Sequence, residues 1–484
     1  MDKNKLISQF LIMGIGTAIS IGLSVISTPV ITRLVDPFQY GEYSIFTMYI
    51  NIALMVLCLG MDQALVRYFY DRDQLQYKTS LLKLCFVVPV TIALFVSSIF
   101  LLLCYYKIIR YEFSMTITFL LCINVILCIW NRISTLLLRT IYDSKSYSIS
   151  NILYKIIFIL LSLILIAFYH QDGLISLVIA TTLAYVFQAI YATISGKKYW
   201  KLCGQTYPSN SLEIIRYGLP FILSMGLTTV FQALDKLSLN YYCTYSDVGV
   251  FSSAMSIVNI FALIQTTFNA LWGPLQVEYY VKHPDDPSVI KKVNKYITVI
   301  MFVFGITLIM GKDIFALLLG DDFREASSIL PFLIFNPIMY TISETTCCGI
   351  GISKKSYLNI YVSLIACCTN LIGNMSLVPP LGPRGAAIST GLSYIVFFLS
   401  RTYFSNINHY INYQLKKIYI LITLAVLYAL YNTFYDNLLV SAFGFILIIC
   451  VIIKLYTEEI KEIIHMLINF LEKHLYRIRG NKNA

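Results

Sequence analysis

Charge is scarce in this chain. Only 13% of its 484 residues are Asp, Glu, Lys or Arg, about half the roughly 25% of an average soluble domain. Long polar stretches are missing too. The widest gap between apolar runs, 273–293, is too short to hold a soluble domain. Reactive signatures are equally absent. No G-x-x-x-x-G-K-S/T loop occurs, which excludes a P-loop ATPase within this sequence. Neither G-x-S-x-G nor H-E-x-x-H occurs, and the five histidines lie scattered near loops and the tail. The 12 cysteines show neither disulfide nor metal spacing. Most sit inside apolar runs, including Cys347-Cys348 and Cys367-Cys368, where Cys acts as a small hydrophobe.

Apolar residues fill the space. They make up 58% of the chain. Fourteen runs approach the ~20 residues a helix needs to cross hydrocarbon. They are 6–28, 43–66, 80–104, 114–138, 149–168, 174–195, 214–240, 247–272, 294–319, 327–350, 357–378, 385–407, 415–433 and 438–456. A membrane β-barrel would show short alternating segments instead. The first run is too long for a signal-peptide core, and no small-residue cleavage site follows it. The expectation is an all-α integral membrane protein with about fourteen transmembrane helices.

The net charge of +11 reflects orientation rather than nucleic-acid binding. With a cytoplasmic N-terminus, six of the 36 Lys and Arg lie at outer helix ends: Arg33, Lys107, Arg110, Lys312, Arg324 and Arg384. Four more lie inside helices, and the remaining 26 lie at cytoplasmic ends, among them Lys3, Lys5, Lys197, Lys198, Lys291, Lys292, Lys354, Lys355, Lys416 and Lys417. That asymmetry over short loops is a positive-inside signal. An even number of crossings returns the C-terminus to the cytoplasm.

The chain also matches itself. Residues 40–52 align with 248–260, placing Gly41 on Gly249, Tyr43 on Phe251, Ser44 on Ser252 and Asn51-Ile52 on Asn259-Ile260, a spacing of 208 (249 − 41). Lys145-Ser146-Tyr147 matches Lys355-Ser356-Tyr357, and Gly173 matches Gly385, at nearly the same offset. A membrane chain duplicated in parallel places its substrate where the halves meet. The expected organisation is a six-helix bundle over 1–195, a polar cytoplasmic linker at 196–212 and a second six-helix bundle over 213–410. Two extra transmembrane helices follow at 411–456, with a basic amphipathic tail at 457–484. In that tail Ile460, Ile463, Ile464, Leu467, Ile468, Leu471, Leu475 and Ile478 recur at helical spacing, the pattern of a helix lying on the inner leaflet.

Three segments resemble a known family. Thr32-Arg33-Leu34-Val35-Asp36-Pro37-Phe38-Gln39-Tyr40-Gly41-Glu42-Tyr43-Ser44 resembles the Arg, Pro-turn and Y-G-x-Y/F signature at the start of bacterial polysaccharide flippases. Leu59-Gly60-Met61-Asp62-Gln63-Ala64-Leu65-Val66-Arg67-Tyr68 is similar to the end of that family's second helix, and Arg216-Tyr217-Gly218-Leu219-Pro220 to the start of its seventh. The resemblance covers residues 1 to about 410. Its nearest group is the O-antigen and capsule repeat-unit flippases, called Wzx-like. They share a superfamily with lipid II flippases and multidrug and toxin extrusion antiporters. It implies two six-helix bundles forming a V around a polar cavity. The implied substrate is an oligosaccharide on undecaprenyl pyrophosphate, flipped to the outer leaflet for O-antigen, lipopolysaccharide or capsule synthesis. Implied partners are membrane lipids, a polysaccharide polymerase and a chain-length regulator, with no nucleic acid. No cofactor is implied; a proton or sodium gradient or the membrane potential would drive the cycle.

Charges deep in membrane helices mark functional sites by default. Arg132 and Lys155 stand out as uncompensated cations suited to pyrophosphate. Asp62 and Glu344 are candidates for coupling or charge balance, and Asp62 could instead pair locally with Arg67. Asp235 and Lys236 either line the cavity or neutralise each other. Gln265 and Asn269, four apart on one helix face, could bind sugar hydroxyls with Trp272 stacking on a ring; helix–helix hydrogen bonding is the alternative. Other intramembrane amides include Asn124, Gln188 and Asn370. Two rival functions remain. A multidrug or cation antiporter wants an acidic cavity rather than a basic one. An outer-leaflet polysaccharide polymerase wants a large Arg-containing outer loop, and the outer loops here are short.

Overall fold

In the computed structural model the described residues are 3–108, 113–169, 172–201, 206–283, 286–353, 355 and 357–480, with some side chains within 3–21, 168–169, 223–228 and 262–281 and beyond 466 not described. Arg110, Lys354, Ser356 and the last residues of the tail fall outside them. Nineteen α-helices account for most of the chain, and no strand occurs among the described residues. The first eight are α1 (Lys3–Thr32), α2 (Pro37–Leu57), α3 (Met61–Tyr68), α4 (Leu75–Tyr105), α5 (Met115–Thr140), α6 (Ser144–Tyr169), α7 (Gly173–Ser195) and α8 (Ser211–Tyr242). Then come α9 (Tyr245–Lys282), α10 (Ser288–Met310), α11 (Lys312–Ala316), α12 (Ala326–Leu333), α13 (Phe335–Thr346) and α14 (Cys348–Ile352). The last five are α15 (Leu358–Leu381), α16 (Pro383–Asn408), α17 (Leu415–Phe434), α18 (Leu438–Leu455) and α19 (Thr457–Gly480).

Each of the fourteen apolar runs is helical, because only a helix satisfies its own backbone within hydrocarbon. Three runs are broken, the first of them at 43–66, which divides into α2 and α3. Gly311 ends α10 and separates it from α11, and the run at 327–350 divides into α12, α13 and α14. Among the described residues nine helices are long and apolar enough to span a membrane, or up to eleven if each of two bent pairs forms one span. The chain is a multi-pass membrane protein. Start signals are local. The Asp36 carboxylate accepts the Gln39 amide at 2.9 Å and Pro37 occupies the first turn of α2. Asn437 caps α18 in the same way, accepting the Leu439 amide at 3.0 Å.

Packing forms two compact units. One holds Met1–Leu263 with Leu317–Arg324, and the other holds Ile264–Ala316 with Glu325–Ala484. The joint expected at 196–212 and the packing boundary differ because α8 packs on α2 and α3, which carries it and the start of α9 into the first unit. In the second unit α16 is central, packing against α12, α13, α14 and α15. Its first turns present Ala386, Ala387, Ser389 and Ser393, all buried; small residues let helices approach closely without a hydrophobic driving force.

Two glycine contacts explain the sequence signatures. Leu59 and Gly60 both adopt positive φ between α2 and α3, which bend by 52°. A Cβ on Gly60 would overlap the Gly218 carbonyl, and one on Gly218 would crowd the Leu59 carbonyl. The segments Leu59–Asp62 and Arg216–Pro220 therefore meet. Likewise, a Cβ on Gly41 would overlap the Tyr245 carbonyl, and one on Gly249 the Pro37 carbonyl. Three residues on, Ser44 and Ser252, 208 apart, share a 2.6 Å hydrogen bond. The two copies of the repeated segment thus pack on each other.

Candidate functional site

In the first unit the loop at Leu59-Gly60 delivers Asp62 to the first turn of α3, where the helix dipole favours an anion. Asp62 Oδ1 accepts the Gln63 amide at 2.9 Å. Its Oδ2 accepts Arg132 Nε at 3.1 Å and Nη2 at 2.7 Å. Arg132, from α5, is therefore not the uncompensated cation its sequence context suggests. Nor does Asp62 pair with Arg67, which instead bonds Asp71 at 2.9 Å as an exposed i,i+4 pair. The exposure within the Asp62–Arg132 pair is lopsided. The Asp62 side chain is 7% exposed and that of Arg132 44%. One edge of the guanidinium is fixed by the carboxylate while the other still presents donors.

Lys155 lies on α6 beside an aromatic column. Tyr154 stacks on Tyr185 at 5.0 Å and on Phe158 at 6.3 Å, and Phe158 stacks on Tyr43. The Lys155 ammonium lies 5.7 Å from the Tyr154 ring and has no carboxylate partner among the described residues. Asp235 on α8 is buried, and its neighbour Lys236 is half-buried. Asn124 donates to Thr182 at 2.7 Å and Gln188 to Asn151 at 3.1 Å. These two amides serve helix–helix hydrogen bonding.

The second unit holds Glu344, Gln265, Asn269 and Trp272. Glu344 on α13 is 2.7 Å from Arg401 of α16, whose Nη1 also donates to Ser343 at 2.9 Å. The guanidinium lies 5.8 Å and 5.5 Å from the rings of Tyr340 and Phe397, themselves stacked. Sequence reasoning missed Arg401. The available signal was a lone cation well inside an apolar run, with its partner 57 residues away. Gln265 and Asn269 are half-buried and Trp272 is buried, its ring stacked on Phe268 at 6.0 Å. Among the described residues no group of three or more His, Cys, Asp or Glu is placed to hold a metal.

Besides more exposed pairs such as Arg67–Asp71, each unit contains a carboxylate–arginine pair inside its apolar runs, Asp62–Arg132 in the first and Glu344–Arg401 in the second. In the first the arginine is half open; in the second it is enclosed. Such groups can hold an anion and hydrogen-bond a polar head, and none forms a nucleophile–base pair.

A family model described as polysaccharide biosynthesis protein matches residues 6–275. The capsular polysaccharide biosynthesis protein CapF of Staphylococcus aureus is 24% identical over 54% of this chain and 67% of its own length. The probable low-salt glycan biosynthesis flippase Agl15 of Haloferax volcanii is 23% identical over 39% of this chain and 40% of its own. The matched stretches thus span about half the length of these curated relatives. The structure of the lipid II flippase MurJ in an inward closed conformation superposes with a TM-score of 0.68 at 16% identity, covering 93% of this chain and 100% of that one.

Proposed function

The chain belongs to the family of polysaccharide biosynthesis proteins, and on that premise we propose that it is a flippase for oligosaccharide repeat units carried on undecaprenyl pyrophosphate. It works by alternating access and makes or breaks no bond. A charged, hydroxylated head cannot enter hydrocarbon unaided, since each unpaired polar group costs several kcal/mol there. The protein must supply a polar route with cations for the pyrophosphate.

The observation that carries this reading is the half-open Arg132. Asp62 holds its guanidinium in place and leaves an edge free for a phosphate oxygen. Lys155 supplies a second cation with no carboxylate partner among the described residues. A cationic drug would need an exposed acid, yet Asp62 is covered by its arginine, which favours the anionic lipid over the antiporter reading. The protein sits in the cytoplasmic membrane with both termini inside, and the polysaccharide polymerase acts after it.

The test is a pair of replacements. Arg132→Ala and Lys155→Ala should each reduce surface polysaccharide roughly tenfold, the worth of one charge-assisted hydrogen bond, with normal protein level. Arg132→Lys should keep partial activity, having charge without the bidentate fork. Because Arg132→Ala leaves Asp62 unpaired, the double variant with Asp62→Asn controls for folding. Full export by both alanine variants would remove the cation-binding role.

A further inference from the structure

Four buried polar atoms in the second unit have no use in the fold. Asn269 Oδ1, Trp272 Nε1, Gln276 Nε2 and the Tyr413 hydroxyl are sealed from solvent and lack a hydrogen-bond partner among the described residues. Trp272 is 6% exposed, Gln276 5% and Tyr413 3%. Together with Gln265, three of them define one helix face, since 265, 269, 272 and 276 follow helical spacing along about 16 Å of α9. Tyr413 comes from the segment between α16 and α17 and packs in one cluster with Trp272 and Cys348.

Buried groups of this kind are normally satisfied. Replacing each by an apolar residue of similar shape would be neutral or stabilising if the fold were their only purpose. Their chemistry is also specific. The face offers an indole N–H, amide donors and acceptors and one hydroxyl, all on uncharged side chains. That set does not suit a phosphate. It suits a ligand whose groups both donate and accept, with an apolar ring face for the indole.

We propose that the Gln265, Asn269, Trp272, Gln276 and Tyr413 groups form a subsite for the neutral saccharide of the transported head. Gln276 and Tyr413 select its hydroxyls. This rests on the flippase reading and deepens it. The groups unpaired in the present conformation are those the sugar pairs when bound.

The experiment uses the full chain. Tyr413→Phe and Gln276→Met remove the polar atoms while keeping shape. Each variant should melt in detergent at or above the parent temperature. In cells whose own copy is deleted, each should lower surface polysaccharide about fivefold, the effect of one lost hydrogen bond. Raised melting temperature with full export would mean the atoms bind only water, and the proposal falls. Export lost together with a matching drop in melting temperature would make them structural, and the proposal falls equally. If deleting the whole chain leaves surface polysaccharide unchanged, the flippase reading itself fails, a result distinguishable from both.

Discussion

Arg132 and Arg401 make the same bond to a carboxylate and differ in what surrounds it. Arg401 is 11% exposed and its partner Glu344 18%, so both charges are largely enclosed. Removing one partner of such a pair strands the other, at about 3–5 kcal/mol. Glu344→Gln should therefore lower the thermal midpoint and the protein level. The double variant Glu344→Met with Arg401→Met should recover both, since paired apolar replacements are often neutral. Recovery of stability without recovery of export would assign the pair to transport; recovery of both would make it a strut. That charges lie inside apolar runs was legible in the sequence at Asp62, Arg132, Lys155 and Glu344. Their pairing was not. Asp62 meets Arg132 across 70 residues, and nothing in helical periodicity reports a contact that depends on how α3 and α5 cross.

At the scale of elements, helix positions were legible because hydrophobic length is a local property. The breaks were less so: Gly311 and the divisions at Ile334 and Cys347 interrupt runs whose composition is continuous. The amphipathic α19 was also visible, but its docking was not. Lys295 bonds Glu459 at 2.6 Å and Lys292 bonds Glu462 at 2.8 Å. Burial pushes the Glu459 carboxyl up, yet the hydrogen bond and charge of Lys295 leave it below its usual 4.5. Hydrogen bonds from Lys292 and Tyr296 do the same for Glu462. Both carboxyls are depressed in the docked state, so their contribution is complete above about 4.5 and fades as pH falls through the lowered values. Hydrogen exchange of α19 amides should accelerate there once intrinsic rates are corrected. At neutral pH, Glu459→Gln with Glu462→Gln should have the same effect. Unchanged exchange in that variant would mean apolar contacts alone hold α19.

For the molecule as a whole, the charge asymmetry makes a testable map. Reporter fusions after Lys198 should read cytoplasmic and those after Asp172 external; the reverse would invert the topology. Three of the six cations assigned to the outer side are tied to acids, Lys312 to Asp436 at 2.6 Å, Arg324 to Asp321 at 2.5 Å and Arg384 to Glu325 at 3.6 Å. The division into two units was only partly legible. Self-similarity places a joint at 196–212, whereas packing follows the glycine contacts of α8, which sequence periodicity cannot weigh.

The meeting of Gly41 with Gly249 and of Ser44 with Ser252 has a genealogical consequence. A contact in which residue i touches j and the equivalent of j touches the equivalent of i is what a two-fold homodimer makes. A half-length ancestor carrying one copy of Tyr40–Ile52 would have dimerised through these same atoms before its two genes were joined. Gly41→Val and Gly249→Val should consequently harm folding to the same extent. Split as two co-expressed chains between Lys198 and Ser211, the protein should reassemble through this inherited seam, and the Gly41→Val half should fail to capture its partner.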